Sequence, residues 1–242
     1  MNFLNKLEKK YRKYAIPNLM YYIVMLYGAG LVIQLFAPMA YWRFLSLDIG
    51  ALMHGQIWRL VTFIIYPPTM GTFVFDSVFF GIISLFLYYS LGVTLERVWG
   101  AFRFNVFFLM GMVGEILAAL VSYFVFHQNL YVTTGFLNFS LFLAFAICFP
   151  DVQFYLFMVI PVKAKWMAIA ESAVYVYSFL VGSASTRCEI VLSLANVILF
   201  FLMTRNYSRI NPKEIHRKKQ FKQQTKIRMP GQPRHKLSLI HI

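Results

Sequence analysis

The side chains that could do covalent chemistry in this chain are its serines, because a serine hydroxyl becomes a nucleophile when a histidine takes its proton. Ser140 and Ser193 both lie inside long apolar stretches. All five histidines lie outside those stretches, at His54, His127, His216, His235 and His241. Neither serine therefore has a base beside it. We expect each hydroxyl to bond to a carbonyl of its own helix instead.

Three other polar side chains, Glu115, Asn138 and Asn196, lie deep inside apolar stretches, where an unpaired polar group is costly. At about 1.5 Å per helical residue, all three reach a similar depth, on the order of 10–12 Å below one membrane face for the two asparagines. We expect them to form a polar patch that recognises polar or unstable transmembrane clients. The alternative is that they form hydrogen bonds between helices, worth about 0.6–2 kcal/mol per contact.

The composition predicts the elements that must position these residues. Hydrophobic residues make up 60 % of the chain and charged residues only 13 %, whereas a soluble domain carries about 25 % charged residues. A chain this apolar cannot cover itself with polar surface, so lipid is its expected solvent. The natural unit of its organisation is then the membrane span, which needs roughly 20 apolar residues to cross about 30 Å of hydrocarbon.

Six apolar stretches predict an all-α membrane protein with six transmembrane helices. They cover approximately residues 18–37, 73–94, 104–126, 131–149, 166–182 and 189–204. The sixth has about 16 residues, roughly 24 Å of helix, and we expect this short span to thin the bilayer around it. Residues 39–72 are too polar to cross and too apolar to stay in water. They predict a long first loop that lies in the membrane interface.

The basic residues predict the topology and the division into domains. With both termini in the cytoplasm, the inner segments hold 20 Lys and Arg residues and the outer segments hold three, as the positive-inside rule requires. The divisions are a basic lead (1–16), a membrane domain (17–204) and a basic, largely disordered tail (205–242). The tail has too few aromatic residues to stack nucleic-acid bases, so nucleic acid is not an expected partner.

Four short stretches carry motifs that belong together. They are residues 55–62 with Trp58 and Arg59, residues 91–96 with Gly92 and Glu96, residues 135–138 beginning at Gly135, and residues 149–166. In this order and spacing they resemble the motifs of the rhomboid and derlin superfamily of membrane proteins. The resemblance covers roughly residues 17–204 and implies a six-helix rhomboid-like fold with a long interfacial first loop.

The resemblance also implies that the catalytic groups are missing. A rhomboid protease cuts peptide bonds inside the membrane with a serine from its fourth helix and a histidine from its sixth. Leu137 stands at the serine position of this chain, and the sixth stretch contains no histidine. The family's histidine and asparagine that steady the oxyanion would fall on Phe80 and Ser84. The chain therefore resembles a catalytically inactive member of the superfamily.

The expected function is that of a pseudoprotease, which binds transmembrane client proteins without cleaving them. One alternative is an intramembrane serine protease with displaced catalytic residues. The other is a small transporter or channel, which would need more ionisable residues along a path than Glu115 alone. The expected partners are membrane lipids and transmembrane clients, and no cofactor or metal is expected. We expect a multi-pass protein of the plasma membrane rather than of an organelle.

Overall fold

The computed structural model of the chain describes residues 3–67, 74–128, 132–156 and 160–204. Most of these residues are helical, and four of their helices are long and apolar enough to cross a membrane. The prediction of a mainly α-helical membrane protein is confirmed at this level. The basic tail predicted for residues 205–242 lies outside the described residues.

Ten helices and one hairpin make up the described chain. The helices are α1 (Phe3–Tyr11), α2 (Leu19–Phe36), α3 (Pro38–Ala40), α4 (Ile49–Met53), α5 (Arg59–Thr62), α6 (Val74–Trp99), α7 (Ala101–Phe126), α8 (Gly135–Cys148), α9 (Ala164–Val181) and α10 (Ala184–Thr204). A π-helical turn (Tyr41–Leu45) and two 3-10 turns (Arg12–Tyr14 and Phe63–Ile65) lie between them. The strands β1 (Gln153–Leu156) and β2 (Ile160–Lys163) pair antiparallel.

The six predicted spans correspond to helices of unequal length. α2, α7, α10 and the part of α6 from Phe79 to Trp99 are the four that are long and apolar enough to cross. α8 is apolar but has only 14 residues, about 21 Å at 1.5 Å per residue. α9 has 18 residues and is not among the four. Helices therefore occupy all six predicted positions, and four of them meet the length and hydropathy of a span.

The sixth helix is longer than predicted. α10 begins at Ala184 rather than near residue 189 and has 21 residues, about 32 Å, which is enough for a full hydrocarbon core. The prediction of a short sixth span was therefore wrong. The polar residues before Glu189 fit into a helix because they have partners. The Ser185 and Ser122 hydroxyls lie 2.6 Å apart, and Arg187 donates to carbonyls at the end of α9.

The first loop folds into short helical segments, none longer than five residues between 38 and 67. Asp48 begins α4 because its carboxylate accepts hydrogen bonds from the main-chain N–H groups of Gly50 (2.9 Å) and Ala51 (3.4 Å), as an N-cap residue does. This part of the loop contains no spanning helix, as the sequence predicted.

The link between α8 and α9 is the β1–β2 hairpin, whose apolar composition alone did not predict strands. Asp151 precedes the hairpin, and the ammonium groups of Lys165 (3.1 Å) and Lys163 (3.3 Å) bond to its carboxylate. These hydrogen bonds, first from Lys165 and then from Lys163, hold the pKa of Asp151 below its usual range. These ion pairs therefore connect Asp151, before β1, to Lys163 at the end of β2 and to Lys165 in α9.

α8 lies at the centre of the helix assembly. It contacts α6, α7, α9 and α10, and nine of its 14 residues are buried. α7 and α10 pair along much of their length, where the rings of Phe107 and Phe200 meet edge to face at 5.1 Å. A short helix can be buried in this way only if its neighbours supply partners for its polar groups.

Two glycines of α2 differ in their surroundings. A methyl group at Gly30 would overlap the Ile65 carbonyl and lie 2.9 Å from Pro67 Cδ, because α2 passes directly against the end of the first loop. A methyl group at Gly28 would meet no heavy atom within 4 Å. Gly30 is therefore required by packing, whereas Gly28 is not.

The substitution Gly30→Ala should lower the free energy of unfolding by about 1–3 kcal/mol, because α2 and the first loop must move apart to admit the methyl group. Gly28→Ala, two residues away on the same helix, should leave it unchanged or raise it slightly, since alanine favours helix. Thermal unfolding of the two purified variants in detergent measures the difference. Equal melting temperatures would contradict this packing.

Candidate functional site

Arg59 is buried in the first loop, with only 4 % of its surface exposed. Its guanidinium donates to the side chain of Gln56 (2.6 Å), to the Ser46 carbonyl (2.7 Å) and to the Arg43 carbonyl. These acceptors diverge around the planar guanidinium, a geometry that the single ammonium of lysine cannot reproduce. Arg59 thus joins the end of the π-helical turn to α5.

Two further side chains continue the same contact. Trp58 donates from its indole N–H to the Phe44 carbonyl (3.1 Å), and Thr62 donates from its hydroxyl to the Leu45 carbonyl (3.0 Å). Together with Arg59, these residues supply donors to the four consecutive carbonyls of residues 43–46. The last carbonyls of a helical turn have no partner within the turn. The Trp-Arg motif therefore has a structural role: it completes the hydrogen bonding of the first loop.

Gly92 and Glu96 lie one turn apart on α6 and both face the start of α2. A methyl group at Gly92 would collide with the buried side chain of Met20, within 2.7 Å of its sulfur. One Glu96 carboxylate oxygen accepts a hydrogen bond from the main-chain N–H of Asn18 (2.7 Å), the residue before α2. This second motif therefore fixes where α2 begins and how closely it crosses α6.

Leu137 occupies the third position of α8 and is buried, with 2 % of its surface exposed. It packs so closely on α7 that a methyl group at Gly111 would overlap its side chain. Gly135 has no such constraint, since the nearest atom to an added methyl group would be Thr133 Oγ1 at 3.5 Å. The position at which the resemblance would put a nucleophile is thus an apolar packing contact.

The two serines nearest to this position are engaged with main-chain carbonyls. Ser140 donates to the Leu137 carbonyl of its own helix (2.7 Å), as predicted. Ser193 does not bond to its own helix, and that prediction was wrong: it donates across to the Phe136 carbonyl of α8 (2.8 Å). No histidine lies in the described helices α6 to α10, so neither hydroxyl has a general base there.

Both the oxygen and the nitrogen of the Asn138 side-chain amide have hydrogen-bond partners. Its oxygen accepts a hydrogen bond from the Tyr27 hydroxyl (3.0 Å), and its nitrogen donates to the Thr134 hydroxyl (3.2 Å). Thr134 in turn donates to the Tyr66 carbonyl (2.7 Å). A continuous polar chain therefore joins α2, α8 and the end of the first loop.

Glu115 lies in the middle of α7 and is buried, with 4 % of its surface exposed. Its carboxyl faces the main-chain N–H of Leu137, and Glu189 of α10 is close enough to interact with it electrostatically. Leu137 has a free N–H because the first main-chain bond of α8 is donated by Asn138. The carboxyl thus lies at the positive N-terminal end of α8, while its Oε2 atom has no hydrogen-bond partner among the described residues.

Asn196 lies on α10 and is also buried. Its amide nitrogen donates to the Ser140 hydroxyl (3.4 Å). Its Oδ1 atom has no hydrogen-bond partner among the described residues, which costs about 1–3 kcal/mol in an apolar environment. Asn196 is therefore only half satisfied within the chain.

The three residues predicted to form one polar patch all meet α8, but no hydrogen bond between described residues joins them to one another. Asn138 is part of α8, Glu115 faces the Leu137 N–H, and Asn196 reaches Ser140. All three are at most 4 % exposed. A client could touch these polar groups only if the helices separated. Contacts within the chain account for Asn138 without a client.

Sequence reasoning missed a groove between α7 and α10 with a volume of about 410 Å³. Its lining consists of Val106, Leu109, Met110, Val113, Gly114, Leu117, Leu192, Ala195, Asn196 and Leu199. Asn196 is the one polar side chain in this lining. The small residues Gly114 and Ala195 are the signal in the sequence that points to such a groove, because small residues leave space between helices.

Three comparisons with known proteins, by family model, by curated sequence and by solved structure, found no match to this chain. The resemblance to rhomboids and derlins rests on the motifs themselves and stays a prediction. Within the part of the chain that the structure describes, no cluster of three or more His, Cys, Asp or Glu side chains could hold a metal ion.

The substitution Arg59→Lys should lower the melting temperature by several degrees, because the hydrogen bonds that a charged donor makes to buried carbonyls are worth about 1.5–3 kcal/mol each. Arg43→Lys is the matched control, since the Arg43 side chain is exposed and lies over the Phe44 ring. Thermal unfolding in detergent compares the two variants. A destabilisation of the same size in both would show that the Arg59 contacts do not hold the loop.

Proposed function

We propose that this chain is a rhomboid-like membrane protein that binds transmembrane client helices without cleaving them. The observation that supports the proposal most is that residue 137 is a buried leucine. A protease of this kind needs a reactive hydroxyl there, and the chain has a leucine packed against Gly111. Two motifs that resemble the family's, at Arg59 and Glu96, nevertheless make specific contacts that maintain the fold.

The helix arrangement supports the six-span form of the proposal. α8 is short, buried and surrounded by α6, α7, α9 and α10, so it lies within the bundle even though it is shorter than the hydrocarbon core. On this account α2, α6, α7, α8, α9 and α10 are the six spans. An even number of spans would put both ends of the chain on the same side, and the positive-inside rule favours the cytoplasm for these basic ends. We propose the plasma membrane as the location.

A protease with displaced catalytic residues is disfavoured by the hydrogen bonds of its candidate serines. Ser140 and Ser193 each give their proton to a main-chain carbonyl, so neither is held by a base. Phe80 and Ser84, where the family's oxyanion donors would fall, are half-buried in α6. A phenylalanine ring donates no hydrogen bond to an oxyanion.

A small transporter or channel is the second candidate, and one observation favours it more than the sequence did. Glu189 is buried in the second turn of α10 near Glu115, and Glu171 of α9 is partly buried. Three carboxyl groups from three helices therefore lie inside the apolar assembly. Intramembrane carboxyl groups often mark a proton or ion path, so ion flux into vesicles is the measurement that separates this candidate.

Client binding is tested with the full chain reconstituted in phosphatidylcholine vesicles together with a tagged single-span reporter that carries photoreactive leucine in its helix. We expect a light-dependent adduct of one chain and one reporter, and a reporter of unchanged length, since no nucleophile is available. A six-span membrane protein of unrelated sequence serves as the control. Adduct yields equal to that control, or a shortened reporter, would contradict the proposed function.

A further inference from the structure

The segment that precedes α2 is strongly basic and exposed. Residues 9–14, the basic turn, comprise the end of α1 and the 3-10 turn after it, and all six are exposed. Four are cations and two are tyrosines: Lys9, Lys10, Tyr11, Arg12, Lys13 and Tyr14. Like charges this close repel one another, and anions placed beside them lower the electrostatic free energy.

α1 holds the basic turn against the helix assembly. Leu4 on α1 is fully buried, and α1 contacts both α7 and α10. The Arg103 guanidinium, near the start of α7, donates to the Glu8 carboxylate (3.0 Å) and to the Asn5 side chain (3.1 Å). Packing and hydrogen bonds therefore set the position of the basic turn.

The basic turn lies at one face of the membrane domain. α6 ends at Trp99 and α7 begins at Ala101, so the end of one helix and the start of the other share a face. The start of α2 joins them, because the main-chain N–H of Asn18 donates to Glu96 (2.7 Å). Three helices that are long enough to span therefore have an end beside the basic turn, at the level where lipid headgroups lie.

The cations of the basic turn have no anionic partner among the described residues. Glu8 is the one acidic residue between positions 1 and 47, and its carboxylate pairs with Arg103. The other ion pairs between described residues involve Asp151. The basic turn thus carries four uncompensated positive charges at a membrane face, where each Lys or Arg attracts anionic lipid.

The tyrosines favour a lipid surface over nucleic acid as the source of the anions. The Lys10 ammonium lies over the Tyr11 ring, 5.1 Å from its centroid, and the Lys13 ammonium lies over the Tyr14 ring at 4.9 Å. One face of each ring is thereby covered, which makes the rings poor platforms for stacking bases. Tyrosine beside basic residues is instead a combination that anchors proteins at the membrane interface.

We propose that the basic turn is a docking surface for anionic phospholipids of the surrounding membrane. The headgroup phosphate accepts hydrogen bonds from the lysine ammonium groups and from Arg12, whose guanidinium binds phosphate through two parallel donors. Phosphatidylcholine has the same phosphate, but its choline cation cancels the charge, so the surface selects anionic lipids. This surface is separate from client binding and does not depend on it.

The test uses the full chain in vesicles that contain equal amounts of phosphatidylglycerol and phosphatidylcholine in both leaflets, so that the orientation of the chain does not matter. Benzoylphenylalanine replaces Tyr14, in the basic turn, or Val125, which is exposed near the end of α7. Val125 lies 22 residues after Arg103, about 33 Å along the helix and therefore at the opposite face. After illumination, mass spectrometry measures the adducts of each lipid.

From position 14, we expect roughly 5- to 30-fold more phosphatidylglycerol adduct than phosphatidylcholine adduct, the range for one or two basic residues acting on one headgroup. From position 125, the ratio should be close to one. The preference at position 14 should fall towards one in 1 M NaCl, because the Debye length is then about 3 Å.

Two variants with the same change in net charge show whether the basic turn causes this preference. The first replaces its four cations with glutamine and should bring the ratio at position 14 close to one. The matched control replaces three lysines and one arginine of the tail with glutamine: Arg217, Lys218, Lys219 and Lys222. The control should keep at least half of the preference. Thermal unfolding confirms that each variant is folded, and if the first is not, the salt dependence and the position-125 control of the unsubstituted chain decide.

Equal yields of the two lipid adducts at position 14, or a preference that the first variant keeps, would overturn the inference. So would equal losses in the two variants, because net charge rather than the basic turn would then attract the lipid. Single-stranded RNA, added at the same phosphate concentration as the lipid, tests the other source of anions. If RNA forms adducts at position 14 and abolishes the preference for phosphatidylglycerol, the basic turn binds nucleic acid and the inference fails.

Discussion

The hydrogen-bonding requirements of α8 determine how the other helices are arranged around it. This helix is buried on most sides, and lipid or apolar side chains offer its polar groups no partner. The carboxyl of Glu115 therefore faces the free N–H of Leu137, and Ser193 donates to the Phe136 carbonyl. These contacts come from α7 and α10, so both long helices meet the first turn of α8 through a polar group.

The same constraint explains why the first loop is ordered although it contains no long helix. Arg59 supplies donors to carbonyls that would otherwise be unsatisfied, and the Tyr66 carbonyl at the end of the loop accepts from Thr134 next to α8. Tyr27 then connects α2 to the same chain of hydrogen bonds through Asn138. Hydrogen bonds therefore connect the end of the first loop, α2 and α8 inside an apolar assembly.

The length of the apolar stretches allowed the positions of six helices to be predicted, because a span must be apolar over enough residues to cross the hydrocarbon core. It failed at the start of α10, where Ser185 and Arg187 look like loop residues until their partners on α7 and α9 are known. Depth along a helix predicted that Glu115, Asn138 and Asn196 would meet in one polar patch, whereas in the structure each meets α8 separately and no hydrogen bond between described residues joins them. It could not give their rotation about the helix axis, which decides hydrogen-bond partners. The α7/α10 groove depends on that rotation too, so composition alone did not predict it.

The central claim of the proposed function is that the chain binds helices without cleaving them, because Leu137 stands where the resemblance would put the nucleophile and Ser140 and Ser193 donate to main-chain carbonyls. The most direct test of this claim exposes the purified chain to a serine-reactive fluorophosphonate and to a fluorogenic transmembrane substrate, beside an active rhomboid protease. We expect no labelling and no cleavage under conditions in which the protease shows both. Labelling of Ser140 or Ser193 together with cleavage of the substrate would contradict it and make the chain an enzyme.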